Sequence, residues 1–159
     1  MIEYLGNTDL LKQPMTAFLA PSKIAPESVL PTLDWATDMA QSGRVIVSGF
    51  SSRLETDVWD VLVRNGSPIV MVLVRSKFKR IPMEYRPLLD RGQLLFLFLG
   101  LGSRLCRQNA PIRNAYVANL ANEVVFPSIN PGSSLYPLYS KLASSHKPIT
   151  ILNQKIKTV

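Results

Sequence analysis

The sequence has one cysteine, Cys106, and one histidine, His146. A lone cysteine excludes an internal disulfide and fits a reducing compartment such as the cytoplasm. Cys106 itself reads as a small, unreactive side chain. There is no Cys/His cluster to hold zinc. His146 stands beside Lys147-Pro148 at the expected end of a helix, which argues against serine–histidine catalysis. Neither a Walker-type phosphate loop nor a Gly-x-Gly-x-x-Gly after a strand is present. The longest apolar runs, such as residues 94–99, are far too short to span a bilayer. The first residues, Met1 to Asn7, lack the basic and apolar regions of a signal peptide. No metal, no cofactor and no membrane are therefore expected.

What is present is an ordinary globular composition. The 159 residues are 47% hydrophobic, enough for one domain spanning 1–159 with a core from about 15 to 153. The net charge is +7 and unevenly placed. Between Arg64 and Arg113 there are ten Lys or Arg against two acids, Glu84 and Asp90. A basic face of this kind points to an anionic partner, nucleic acid or nucleotide, or else is a solvated surface.

Hydrophobic patterning predicts strands at 15–19, 45–47, 69–74, 94–99, 123–126 and 149–152. Helices are predicted at 26–42, 53–65, 82–90, 111–120 and 135–145. Ser28 is a candidate cap for the first helix, with Leu30, Leu33, Trp35, Ala36, Met39 and Ala40 as its apolar stripe. Gly43 sits where such a helix ends. Residues 4–13 read as a lead-in loop with a turn at Gly6-Asn7. A basic tail follows Leu152. Strands alternate with helices, so the fold class is α/β: a three-layer, Rossmann-like fold with a mostly parallel sheet of about six strands.

Right-handed crossovers put the strand-to-helix loops on one edge of such a sheet. Three small-residue loops should meet there: 20–23, 48–53 and 128–134. Backbone N–H groups at that edge favour anionic ligands. Ser22, Ser48, Ser51, Ser52, Ser133 and Ser134 offer hydroxyls. Gly49, Phe50 and Gly132 belong to the same loops. Arg113 and Asn114, at a helix start, face the same crevice. Arg113 can pair with phosphate bidentately or serve as a capping and ion-pairing residue. Glu55, Asp57 and Asp60 could bind a ribose hydroxyl or a metal, or Glu55 and Asp57 simply complement the positive helix N-terminus. Lys23, Arg53, Lys77, Lys79, Arg80, Arg104 and Arg107 are candidates for a nucleic-acid backbone. Phe78 is either a base-stacking ring or ordinary packing.

Several segments together resemble a known family. They are Tyr4-Leu-Gly-Asn, residues 10–14 (Leu-Leu-Lys-Gln-Pro), Val45-Ile-Val-Ser-Gly49, the run from Arg113-Asn to Val125, and Pro131-Gly-Ser-Ser-Leu135. The order resembles the Rossmann-like domain of the DNA-processing protein A (DprA/Smf) family, within the SLOG group of phosphate- and nucleotide-binding folds. It covers about residues 4–152. The family binds single-stranded DNA and helps load a recombinase during natural transformation in bacteria. Ser48, Gly49, Arg113, Asn114, Gly132 and Ser133 match its motifs. Its Gly-Ser-Arg loop reads here as Ala20-Pro21-Ser22, and the glycine and aspartate of its Ser-Gly-x-Ala-x-Gly-Ile-Asp loop are Arg53 and Glu55 in this chain. A stand-alone, divergent member without the extra helical or winged-helix domains is expected.

The resemblance implies a non-enzymatic DprA-like protein that binds single-stranded DNA or a phosphorylated ligand in DNA processing or uptake, and that can form a homodimer. The alternative is a SLOG-type nucleotide sensor or nucleotide-processing enzyme. Hydrolases of that group carry Pro-Gly-Gly-x-Gly-Thr-x-x-Glu; the matching loop here, Asn130-Pro-Gly-Ser-Ser-Leu-Tyr-Pro-Leu, has no glutamate, which counts against N-glycosidic hydrolysis. A third reading is a scaffold whose crevice is a relic.

Overall fold

The structure is a computed structural model that describes residues 1–153; the expected basic tail lies outside the described residues from 154 on. Seven strands form one sheet: β1 (Glu3–Gly6), β2 (Met15–Phe18), β3 (Val45–Ser48), β4 (Ile69–Leu73), β5 (Leu94–Phe98), β6 (Glu123–Phe126) and β7 (Ile149–Ile151). The helices are α1 (Val29–Ser42), α2 (Arg53–Arg64), α3 (Arg86–Asp90), α4 (Ala110–Leu120) and α5 (Tyr136–Ser144). Short 3-10 turns lie at Thr8–Lys12, Pro26–Ser28 and Met83–Tyr85.

The strand order is β1-β5-β4-β3-β2-β6-β7. All neighbours are parallel except β1, which runs antiparallel to β5 with Tyr4 opposite Leu97. β1 is therefore a seventh strand, in place of the lead-in loop expected over residues 4–13. Gly6 ends it at φ 115, and a Cβ there would run into the backbone oxygen of Leu94. Asn7 then holds the turn, donating from Nδ2 to Gly92 O at 2.8 Å.

The sheet is covered on both faces, as a parallel sheet must be. Alternation along the strands sends Val45, Val47, Val70 and Val72 into one core with α4 and α5. It sends Ile46, Ile69 and Met71 into the other with α1, α2 and α3. These are the three expected layers. Leu54, Val58 and Leu62 of α2 are fully buried one helical turn apart, and each such side chain contributes about 1.5–3 kcal/mol. The α1 stripe is narrower than expected: Ala36 and Thr32 are buried, but Leu30 is 67% exposed. Gly43 closes α1 in the left-handed conformation, φ 74. Ser28 does not cap α1. Its hydroxyl is buried and accepts from Asn153 Nδ2 at 3.2 Å, because the end of β7 reaches over it.

The topology matters for function. From β2 the chain winds outward through β3 and β4 to β5, then returns across the opposite face through α4 to β6. The loops after β2 and β6, adjacent strands, thus leave the sheet on opposite faces. This is a topological switch point, where open α/β sheets form a crevice.

Candidate functional site

The carboxyl edge of the sheet carries three separate features. The first is a rigid lock beside the switch point, built from the β3–α2 loop. Ser52 caps α2 in a full capping box with Glu55. Glu55 does more than cap. Its Oε1 accepts from Ser51 N at 2.9 Å and Ser52 N at 3.1 Å, and its Oε2 accepts from Ala20 N at 2.9 Å. The carboxylate is 2% exposed and ties the end of β2 to the start of α2. It therefore fills, from within the chain, the kind of amide nest that would receive a phosphate. Sequence reasoning assigned Glu55 to the helix N-terminus but missed Ala20, 35 positions away.

Arg113 completes the lock. It is 4% exposed. Its Nη2 donates to Ser51 Oγ at 3.0 Å and its Nε donates to Asn114 Oδ1 at 3.0 Å. Ser51 Oγ in turn lies 3.4 Å from Glu55 Oε1, so the hydroxyl bridges cation and anion. Burial lowers the Arg113 pKa from its ordinary value, and the charge of Glu55 partly offsets this. The guanidinium lies against Gly49, where a Cβ would collide with it. That close approach is why glycine stands there.

These contacts revise several site expectations. Arg113 is committed to the protein interior rather than to an open crevice. Ser48 is fully buried, and its Oγ accepts from Phe50 N at 3.1 Å. Phe50 adopts φ 49 and packs edge-on against Trp59 at 5.2 Å, inside the core. Ser52 spends its hydroxyl on Glu55 N. Arg53 is exposed and pairs along α2 with Asp57 at 3.4 Å. Asp57 and Glu55 thus have protein partners, and no three His, Cys, Asp or Glu gather as a metal site among the described residues.

The second feature is the switch-point cleft, about 920 Å³, between the β2–α1 and β6–α5 loops. It is lined by Ser22, Lys23, Gly132, Ser133 and Ser134, as the sequence suggested, and by Asn130 and Asn153, which it did not single out. Asn130 shapes the β6–α5 loop: its Oδ1 accepts from Gly132 N at 2.9 Å. Ser133 Oγ accepts from Leu135 N at 3.2 Å at the start of α5. Asn-Pro-Gly is a turn-forming run, and the side-chain bond to the backbone two residues on is the usual asparagine turn.

The third feature is a basic rim. Lys77, Lys79 and Arg80 lie on the loop after β4, and Arg104 and Arg107 on the loop after β5. All five are exposed, and none makes an ion pair with an acid among the described residues. Lys23 is likewise exposed at the cleft. Phe78, within the first of these loops, is core packing: its ring meets Phe96 and Phe98 at 5.2 and 5.1 Å, and Arg75 covers it at 4.5 Å. Asn109 holds the second loop, accepting from Cys106 N at 2.7 Å and donating to Arg104 O at 3.0 Å. Cys106 is exposed on that loop. His146, at φ 65, follows the end of α5 on the surface.

A mostly parallel sheet with a crevice at its switch point defines a Rossmann-like fold. The fold is that of DNA-processing protein A and of the molybdenum-cofactor carriers. DNA-processing protein A of Helicobacter pylori, whose single-stranded DNA binding mode has been described structurally, matches with a TM-score of 0.73 at 20% identity, over 98% of this chain and 73% of that one. The protein from Streptococcus pneumoniae matches with a TM-score of 0.72 at 22% identity, over 98% of this chain and 56% of that one. The molybdenum cofactor binding protein of Rippkaea orientalis matches with a TM-score of 0.60 at 14% identity, over 91% and 78%. No family model and no curated protein matches the sequence. No helix among the described residues is long and apolar enough to cross a membrane.

Proposed function

We propose that this domain is a DprA-like binding protein for single-stranded DNA, acting in DNA processing without chemistry of its own. The observation that carries this reading is the rim of five exposed, unpaired cations on two adjacent loops of the edge that also holds the switch-point cleft. Lys77, Lys79 and Arg80 would follow the phosphates on one side and Arg104 and Arg107 on the other. Lys23 and the serines of the cleft would hold a phosphate between them. The Glu55–Ser51–Arg113 lock sets the shape of that edge from below and does not touch the strand.

Titration of a fluorescent oligothymidylate at low salt tests this. Binding should appear, and alanine at Lys77, Lys79 and Arg80 together should weaken it by at least tenfold while leaving the fold intact. No binding at low salt, or an unchanged affinity in the triple variant, would refute the assignment.

A second reading is favoured by the cleft itself. At about 920 Å³ it is of the size that holds a nucleotide-like ligand. A free nucleotide or phosphorylated small molecule would then raise the melting temperature without any oligonucleotide effect. Release of free base from nucleoside monophosphates would make the protein an enzyme instead.

A further inference from the structure

Beside the switch-point cleft lies a second cavity that the sequence did not suggest. It is a groove of about 550 Å³ between the β5–α4 loop and the first turns of α4 and α5. Its walls are mainly aliphatic, formed by Leu105, Ala110, Pro111, Leu135, Pro137 and Leu138. No aromatic ring lines it among the described residues. Three polar side chains join the lining: Arg107, Asn114 and Ser134. Asn114 accepts from Arg113 through Oδ1, which fixes the amide and leaves its NH2 without a protein partner among the described residues. Arg107 is exposed and makes no ion pair with an acid among the described residues. The surroundings are positive throughout. The sequence has no Asp or Glu from Arg91 to Asn122 and none after Glu123, and every residue of the lining falls in these stretches. Two helices also begin here, α4 and α5, and neither N-terminus is capped by a side chain, so their positive ends add to the field.

We infer that this groove binds a small aliphatic carboxylate, with the hydrocarbon body on the aliphatic walls and the carboxylate on Arg107, Asn114 and Ser134. A mainly apolar concavity of this size with a few convergent polar groups is the usual form of a small-molecule site. The chemistry of the lining narrows the ligand. Leucine, alanine and proline side chains pack against CH2 groups, whereas a planar ring stacks best on another ring, and none is present. The guanidinium of Arg107 can take both oxygens of a carboxylate, and its single charge matches a single negative head. The amide NH2 of Asn114 and the hydroxyl of Ser134 are further donors. A neutral hydrocarbon would leave those donors unused, and an inorganic anion would leave the walls unused. A cationic ligand would meet Arg107 and the ends of both helices. Binding of such an acid does not depend on the strand binding proposed above.

Cys106, the only cysteine in the chain, lies in the groove lining and is exposed, so it reports on occupancy. Octanoate is the probe, with hexanoate, acetate and octanol for comparison. Each is titrated against the intact chain at fixed ionic strength. Binding is read from the rate of Cys106 alkylation by iodoacetamide and from the melting temperature. Octanoate should slow alkylation several-fold at saturation and raise the melting temperature. Hexanoate, shorter by two CH2 groups, should bind about fifteenfold more weakly. Acetate should have neither effect. Octanol has the same chain without the charge; it should bind several-fold more weakly than octanoate, and Arg107→Gln should remove that difference. Ala110→Leu narrows the groove and should abolish the protection, with circular dichroism confirming that the variant is folded. If octanoate leaves Cys106 fully reactive, or hexanoate or octanol binds as well as octanoate, the inference is overturned. Protection by an oligothymidylate and not by octanoate would overturn it too, and give the groove to the strand. If octanoate protects Cys106 and no oligothymidylate binds, the groove stands and the strand-binding reading alone fails.

Discussion

Replacing Glu55 by glutamine probes the lock beneath the site with a change of one atom. Three backbone N–H groups converge on the carboxylate, from Ala20, Ser51 and Ser52. A glutamine has one acceptor oxygen. If it keeps Ser51 and Ser52, its NH2 faces the buried N–H of Ala20. One charge-assisted bond is lost, worth about 1.5–3 kcal/mol, and a buried donor is orphaned at about 1–3 kcal/mol more. Arg113 also loses the negative charge that offsets its burial. The expected destabilisation is about 3 kcal/mol or more, a large share of the roughly 5–15 kcal/mol that holds a domain of this kind. Urea unfolding followed by circular dichroism measures it. The double variant with Arg113→Met should couple to Glu55→Gln by at least about 1 kcal/mol, since Ser51 joins the two. A loss below about 0.5 kcal/mol, or no coupling, would mean that the carboxylate does not hold the loops together.

Two further predictions concern the frame around the site. Gly6→Ala should lower stability by about 1–3 kcal/mol, because φ 115 and the oxygen of Leu94 both oppose a side chain there. An unchanged melting temperature would mean that β1 does not pair with β5 as described. Burial, and then the charge of Glu84, raise the Tyr85 phenol above its ordinary value of 10.0. The folded state therefore favours the neutral phenol, so its contribution is complete below pH 10 and declines as pH rises through the raised value. Tyr85→Phe should flatten the loss of stability measured by urea unfolding between about pH 9 and about pH 11; an identical profile would contradict the burial of Tyr85.

Most of the frame was legible in the sequence because parallel strands covered on both faces are continuous apolar runs. Leu94–Phe98, buried throughout, is the plainest case. The β1 strand was not legible. Its residues are exposed except for the half-buried Leu5, and it is held by backbone pairing with β5, which leaves no hydrophobic alternation to read. The carboxyl-edge loops were legible because crossover handedness places them together. Their division of labour was not. Ser48, Phe50 and Arg113 look like ligand groups in isolation, yet their partners are one another, Trp59, Ser51 and Gly49. The contact between Arg113 and Ser51 spans 62 positions, and no local pattern announces it. Ser28 failed as a cap for the same reason, since Asn153 reaches its hydroxyl from 125 positions away. The apolar groove depends on two helix starts lying side by side, which only the folded chain reveals.

The most direct measurement is the salt dependence of oligothymidylate binding. If the five rim cations and Lys23 each neutralise a phosphate, the slope of log affinity against log salt should be roughly −4.2 for a single strand. Affinity should then fall about three-hundredfold between about 50 and about 200 mM salt. Alanine at Lys77, Lys79 and Arg80 should reduce the slope to roughly −2.1, the share left to Lys23, Arg104 and Arg107. Binding whose slope is near zero, or whose slope is unchanged in the triple variant, would contradict a strand held along this edge of the sheet.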